Sequence, residues 1–409
     1  MNVTITPAKL KGTVIPPPSK SQAHRVLIAA ALAGGVSRID NVALSQDVGA
    51  TLRCLRALGT GMEREGTALI VHGLGHSIRQ APPCPILDCG ESGSTLRFLI
   101  PVALAVCGGG IFSGRGRLLE RPLKPYFDLF DEKSIFHEQK DGRLTVRGLL
   151  TPGEYRLPGN VSSQFVTGLL YALPLLDGDS ELVLTSRLES RGYVDMTLDA
   201  LGLFGVYPEA RENGFFIPGG QRYQAQDFAV EADWSQAGFW YAARLLGSAV
   251  DVGGMDPGSA QGDRVILEHY AKLSGPGDAD IDVSDCPDLV PPLAAMAALR
   301  TGHTTRLTNA ERLRVKESDR LCAVTRVLGA LGADVAEGPD SLTVHGRDCL
   351  AGGVKVDSFN DHRIAMMAAV AAVRCVKPVT ITGAECVAKS YPTFWDDYEM
   401  LGGKIQKSG

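Results

Sequence analysis

The chain has 409 residues, 44% hydrophobic and 21% charged, with 41 Lys and Arg against 46 Asp and Glu for a formal net charge of −5. That length exceeds one ordinary core and implies two domains of about 200 residues each. The acidic balance argues against a nucleic-acid surface, which needs a basic excess, so any anion site must be built from locally gathered Lys and Arg.

In chain order, one pattern recurs: a polar opening, a strongly apolar Ala/Leu-rich helix, a short strand, a second helix, then closing strands. Ser21 to Arg25 leads into Val26–Leu32, and Glu91 to Arg97 leads into Phe98–Leu104. Ser162-Ser163-Gln164, Asp233-Trp234-Ser235-Gln236, Asp288-Leu289-Val290 and Asp361-His362-Arg363 open further runs, six in all. Strand-like alternations follow at Val36, Leu182, Thr305 and Val379. The second helices end in Leu-Gly at Gly59, Gly202 and Gly332, where Gly is expected to cap the C-terminus.

The first helix of each unit is apolar nearly all round and belongs at the centre of a domain, whereas the second is amphipathic and belongs outside. Six such units exclude a propeller, whose blades are all β. They predict two domains of three units around buried helices. If the first strand joins the second half, residues 1–14 with 227–409 form one domain and 15–226 the other, with a double hinge near 12–18 and 218–230. Nine scattered cysteines with no CxxC pair, no apolar signal core and no apolar run longer than Ala365–Val373 predict a cytoplasmic protein. The eight histidines form no HExxH cluster, and His72 with His76 lies in a Gly-rich stretch, so no metal and no cofactor are expected.

Chemistry concentrates at the helix openings. Lys20 follows three prolines on a stiff loop at a positive helix end, a place that favours phosphate or carboxylate, although a solvated lysine would look the same. The segment lacks the Gly-rich run of a P-loop. Gly93-Ser94-Thr95 with Arg97 offers backbone donors, hydroxyls and a guanidinium, and Arg121-Pro122 sets a second Arg in a turn. Ser162, Ser163 and Gln164 suit either plain capping or a sugar-like ring, and Ser190 with Tyr193 repeats the hydroxyl pair. The densest cluster is Arg314 to Arg320; read as a helix, it puts Lys316 and Arg320 on one face with Glu317 beside them. His362 and Arg363 at the start of a buried helix lack the usual dipole rationale and suit an anion site.

Seven segments in order, around Lys20, Gly93, Arg121, Ser162, Lys316, Asp361 and Lys389, resemble the signatures of the 5-enolpyruvylshikimate-3-phosphate (EPSP) synthases and span residues 18–392. The resemblance implies an α/β fold of two domains, an inside-out α/β barrel of six βαβαββ-like units, with the active site in the cleft between domains. It implies transfer of an enolpyruvyl group from phosphoenolpyruvate to the 5-hydroxyl of shikimate 3-phosphate by a monomer. By motif, Lys20, Ser21, Arg25, Ser162, Ser163, Gln164, Ser190, Tyr193, Asp288, Arg312 and Lys316 should hold shikimate 3-phosphate. Lys20, Gly93, Ser94, Arg121, Gln164, Arg320, His362, Arg363 and Lys389 should hold phosphoenolpyruvate, because a planar guanidinium meets carboxylate and phosphate bidentately.

Asp288 is expected as the base for the hydroxyl, assisted by Lys20, and Glu317 as the acid for the methylene carbon, partial burial keeping it protonated. Glu91 and Arg312 replace family asparagines, and the segments after Tyr126 and at Leu273 are shortened. The sister enzymes that act on UDP-N-acetylglucosamine would show Lys-Asn in the first motif and a Cys before the Arg-Pro turn; here stand Lys20-Ser21 and a Cys-free 114–121. A non-catalytic anion-binding protein would be free to lose the carboxylates of Asp288 and Glu317, and both are present.

Overall fold

Hydrophobic patterning of this kind demands helices buried on every side, and the computed structural model, which describes residues 1–75, 78 and 84–409, contains them. The chain divides into two compact units, Met1–Pro17 with Ala232–Gly409, and Pro18–Glu231.

In the Pro18–Glu231 unit the buried helices are Lys20–Leu32, Gly93–Cys107 and Ser163–Ala172. In the other they are Trp234–Leu245, Val290–Ala297 and His362–Ala372, and every residue of the last two is buried. The helices Gln46–Ala57 and Arg320–Leu331 each bury one face and leave the other to solvent, as the amphipathic second helices should.

Among the described residues, five four-stranded sheets repeat one scheme: an edge strand parallel to its neighbour, then two antiparallel pairings. Ile86–Asp88 runs parallel to Gly109–Ser113 in the register Leu87 to Phe112. That strand pairs antiparallel with Arg143–Arg147, which pairs with Phe136–Lys140. A parallel pair needs a crossover, and the buried helix Gly93–Cys107 supplies it. The strand Asn2–Thr6 lies between Val379–Thr382 and Lys404–Ser408. Alternating burial along it puts Val3 and Ile5 into the core of the unit that contains 232–409.

Three sequence expectations are corrected. The segment Arg314–Arg320 is not one helix: a 3-10 turn covers Glu311–Val315, Lys316 is extended, and Asp319 caps a helix that begins at Arg320. An Asp that accepts from Cys322 N at 3.2 Å ends the possibility of a continuous helix, so Lys316 and Arg320 do not share a helical face. Gly202 lies inside the helix Arg191–Leu203, and Gly205, with φ +78°, terminates it instead. The first buried helix is capped by Ser19, whose Oγ accepts from Gln22 N, so Lys20 and Ser21 already belong to its first turn.

Helices Gly93–Cys107 and Ser163–Ala172 cross at Gly168, where a Cβ would lie 2.5 Å from Arg97 O and 2.8 Å from Pro101 Cγ. Tyr126 straddles that crossing, its hydroxyl within hydrogen-bond reach of two carbonyl acceptors, Arg97 O at 2.8 Å and Phe165 O at 3.0 Å. Gly168→Ala should therefore cost about 2 kcal/mol or more in urea unfolding, because neither backbone can yield without separating the helices. Gly329→Ala should act with the opposite sign, stabilising by up to about 1 kcal/mol, since that helical glycine has no atom within 4 Å of its Cβ position.

Candidate active site

A helix buried all round exposes unsatisfied backbone donors only in its first turn, and the structure gathers the charged and hydroxyl side chains there. Caps at Ser92, Ser162, Asp233 and Asp361 each accept from backbone N–H groups of the first turn.

In the Pro18–Glu231 unit, Lys20 Nζ is 2.9 Å from Asp47 Oδ2, both side chains largely buried. Asp47 was not anticipated. In sequence it is an acid in the first turn of Gln46–Ala57, the commonest of dipole partners, and nothing local ties it to Lys20. Arg25 is buried and donates to Ser21 O, Tyr193 O and Thr197 Oγ1, with its guanidinium over the rings of Phe98 and Tyr193. It thereby holds the backbones of Ser21 and Tyr193 in one place. Ser190, at φ +54°, opens the Tyr193 helix in the left-handed region, an unusual conformation for a residue with a side chain.

Gln164 is the orientation-sensitive member. Arg97 Nη1 donates to its Oε1 at 2.8 Å, so its amide nitrogen turns the other way and donates to Ser94 Oγ at 2.9 Å. Arg97 in turn donates to Pro122 O, next to Arg121. Arg121 lays its guanidinium against Gly93, where a Cβ would come within 2.7 Å of Nη1. Among the described residues Arg121 Nε has no hydrogen-bond partner. Glu91 turns its carboxyl toward Gly116, where a Cβ would meet it at 3.0 Å. Ser163 is buried in the first turn behind the Ser162 cap.

In the other unit the carboxylate of Asp288 spans two guanidiniums, 2.9 Å from Arg320 Nη1 and 2.9 Å from Arg363 Nη2. Arg320 also holds Asp361 through Nε at 2.9 Å and Glu317 through Nη2 at 2.6 Å, serving three acids while itself 1% exposed. Burial alone would raise the Asp288 pKa, but Arg363, Lys316 and Arg320 outweigh it and hold the carboxyl far below the usual range. Burial draws the Lys316 ammonium down to about 8, with Asp288 opposing and Arg320 and Arg312 adding to the fall. Arg312 Nη2 donates to Ser284 O. Lys389 Nζ donates to Asn360 O at 2.6 Å, and His362 is buried with Nδ1 4.0 Å from Asp361 Oδ1.

Of the charge-dense segment, Arg314 is structural, clamping Glu337, Asp319 and the carbonyls of Gly338 and Pro339. Glu317 Oε2 accepts from Arg320 Nη2 at 2.6 Å. His72 Nε2 lies 3.4 Å from Glu63, and His76 lies outside the described residues.

Asp361 does three jobs at once: it accepts from Arg320 Nε, Ser318 Oγ and Arg363 N. Asp361→Asn, which halves the acceptor capacity and leaves Arg320 undercompensated, should lower stability by about 3 kcal/mol, read as a shift in the urea midpoint.

The chain matches the family model described as EPSP synthase (3-phosphoshikimate 1-carboxyvinyltransferase) over residues 5–398. It is 46% identical to a 3-phosphoshikimate 1-carboxyvinyltransferase of Clostridium kluyveri, over 99% of this chain and 98% of the relative. It is 44% identical to that of Clostridium acetobutylicum with the same coverage. Its fold is similar to the solved EPSP synthase of Acinetobacter baumannii, with a TM-score of 0.80 at 24% identity, covering 99% of this chain and 100% of that one. Helix mouths furnished with Lys20, Gly93, Gln164, Asp288, Arg320 and Arg363 thus sit in a chain whose whole length matches one family, and the protein belongs to the EPSP synthases, the 3-phosphoshikimate 1-carboxyvinyltransferases.

Proposed function

We propose that this chain transfers the enolpyruvyl group of phosphoenolpyruvate to the 5-hydroxyl of shikimate 3-phosphate through the residues assembled above. The observation that carries the assignment of roles is the Asp288 carboxylate held between Arg320 and Arg363 with Glu317 on the same guanidinium. A base, an acid and two bidentate-capable cations share one small volume.

Addition needs the 5-hydroxyl proton removed as its oxygen bonds C2 of phosphoenolpyruvate, while a proton arrives at the methylene carbon to make a methyl group. Elimination then takes a proton back from that methyl and expels phosphate, restoring the double bond. Asp288 is assigned as the base and Glu317 as the acid, with Lys20 assisting. A carboxylate shared by two guanidiniums is a weak base. The substrate's own phosphate and carboxylate are therefore assigned the task of drawing Arg320 and Arg363 away, which frees Asp288 when the anions arrive.

Shikimate 3-phosphate is assigned to Lys20, Ser21, Arg25, Ser162, Ser163, Gln164, Ser190, Tyr193, Asp288, Arg312 and Lys316. Phosphoenolpyruvate is assigned to Lys20, Gly93, Ser94, Arg121, Gln164, Arg320, His362, Arg363 and Lys389. The repeated sheet scheme and the six buried helices support an inside-out α/β barrel in each unit. Both sets of residues are taken to act on one substrate pair. A cytoplasmic location fits nine cysteines that are all free, and a monomer is proposed from the family resemblance alone.

The deciding assay follows phosphate release by purified protein with both substrates and with each omitted. Release should require both, and release indifferent to shikimate 3-phosphate sinks the assignment. Lys316 gives a sharper test, because its lowered pKa means the ammonium is present below about pH 8 and lost above it. Shikimate 3-phosphate should bind several-fold more weakly as pH rises from 7 to 9, and Lys316→Arg, which stays charged, should abolish that dependence. Calorimetric titration across the range would show it.

A further inference from the structure

We propose that His24 is a positioning residue for phosphoenolpyruvate, acting through a directional chain of buried hydroxyls that orients the helix start bearing Gly93 and Ser94. The proposal rests on the placement of phosphoenolpyruvate against those two residues. His24 Nδ1 lies 2.7 Å from Thr51 Oγ1, Thr51 Oγ1 lies 2.6 Å from Thr95 Oγ1, and the Thr95 hydroxyl donates to Ser92 Oγ at 2.8 Å. All four side chains are fully buried. The chain links helices Lys20–Leu32, Gln46–Ala57 and Gly93–Cys107, and it ends on the residue that caps the third.

The direction of every bond follows from one end. Thr95 spends its proton on Ser92, so it accepts from Thr51; Thr51 has then spent its own proton and must accept from His24. That requires a proton on Nδ1. Burial, with Lys20 and Arg25 close by, holds the ring pKa well below its ordinary value, so His24 is the neutral Nδ1–H tautomer and Nε2 is a bare acceptor. Nε2 has no hydrogen-bond partner among the described residues, and the ring stands edge-on to Phe98. A buried nitrogen left unpaired is costly, and a leucine would fill this space without that cost. What the imidazole adds is one donor at a fixed place, which sets the sense of the chain and ties Thr51 to the first helix. Ser92 Oγ also accepts from Thr95 N, so its position sets the pitch of the first turn and the aim of the Gly93 and Ser94 N–H groups.

Steady-state kinetics on His24→Leu, His24→Asn, Thr95→Val and the His24→Leu/Thr95→Val double variant test this. His24→Leu and Thr95→Val should each raise KM for phosphoenolpyruvate about tenfold, the effect of one buried hydrogen bond, with kcat and KM for shikimate 3-phosphate within about twofold. His24→Asn places an amide N–H where Nδ1–H stood and should stay within about threefold of the parent chain. The double variant should be no worse than about the larger single effect, because both break one chain whose ends do not touch. An unchanged KM in His24→Leu, equal damage from Leu and Asn, or multiplying effects in the double variant would each overturn the proposal. If His24→Leu fails to fold, Thr51→Val against Thr51→Ser makes the same comparison, with Val expected to damage and Ser to restore. Gly93→Ala, whose methyl meets Arg121, separates the two levels. If it leaves KM for phosphoenolpyruvate unmoved, the donor placement and the proposal fall together. If it raises KM while His24→Leu does not, only the His24 chain falls.

Discussion

The candidate site is arranged around one constraint: a helix enclosed by apolar neighbours can meet a charged ligand only at its first turn. Its middle is sealed, as in His362–Ala372, where all residues are buried. Its backbone donors are internally paired everywhere except the N-terminus, where the positive dipole end and the free N–H groups coincide. Repeating that element concentrates the openings, so Lys20, Gly93, Gln164 and Arg363 all fall within the first three residues of their helices.

The same constraint explains how an acidic chain manages its cations. Guanidiniums at these mouths are buried, and a buried charge must be paired. Arg320 is paired with three acids, Arg363 with Asp288, and Lys20 with Asp47. The carboxylates that balance the cations include those assigned to move protons. Electrostatic neutrality and reactivity therefore compete for the same oxygens, and an anionic substrate resolves the competition by replacing the acid as the partner of the arginine.

Supporting residues then decide geometry. Arg97 fixes which end of the Gln164 amide faces Ser94, Arg25 joins the backbones of Ser21 and Tyr193, and Asp361 both caps a helix and steadies Arg320. Each has at least one partner far away in sequence: Gln164 lies 67 positions from Arg97, Tyr193 168 from Arg25, and Arg320 41 from Asp361. Local pattern contains no trace of such pairings.

The sequence by itself determined the alternation of fully buried and amphipathic helices, the strands at Val36, Leu182 and Val379, and the clustering of charge at helix starts, because these follow from the 3.6- and 2-residue periods of apolar side chains. It also determined the family, since seven short segments kept their order. Only the tertiary structure decided that Asp319 starts its helix and takes Lys316 out of it, that Asp47 answers Lys20, that Asp288 stands between two arginines, and that His24 faces Thr51. The physical reason is range. Periodicity and capping act over a few residues and are written in the local sequence, whereas ion pairs and buried hydrogen-bond chains join residues that only packing brings together.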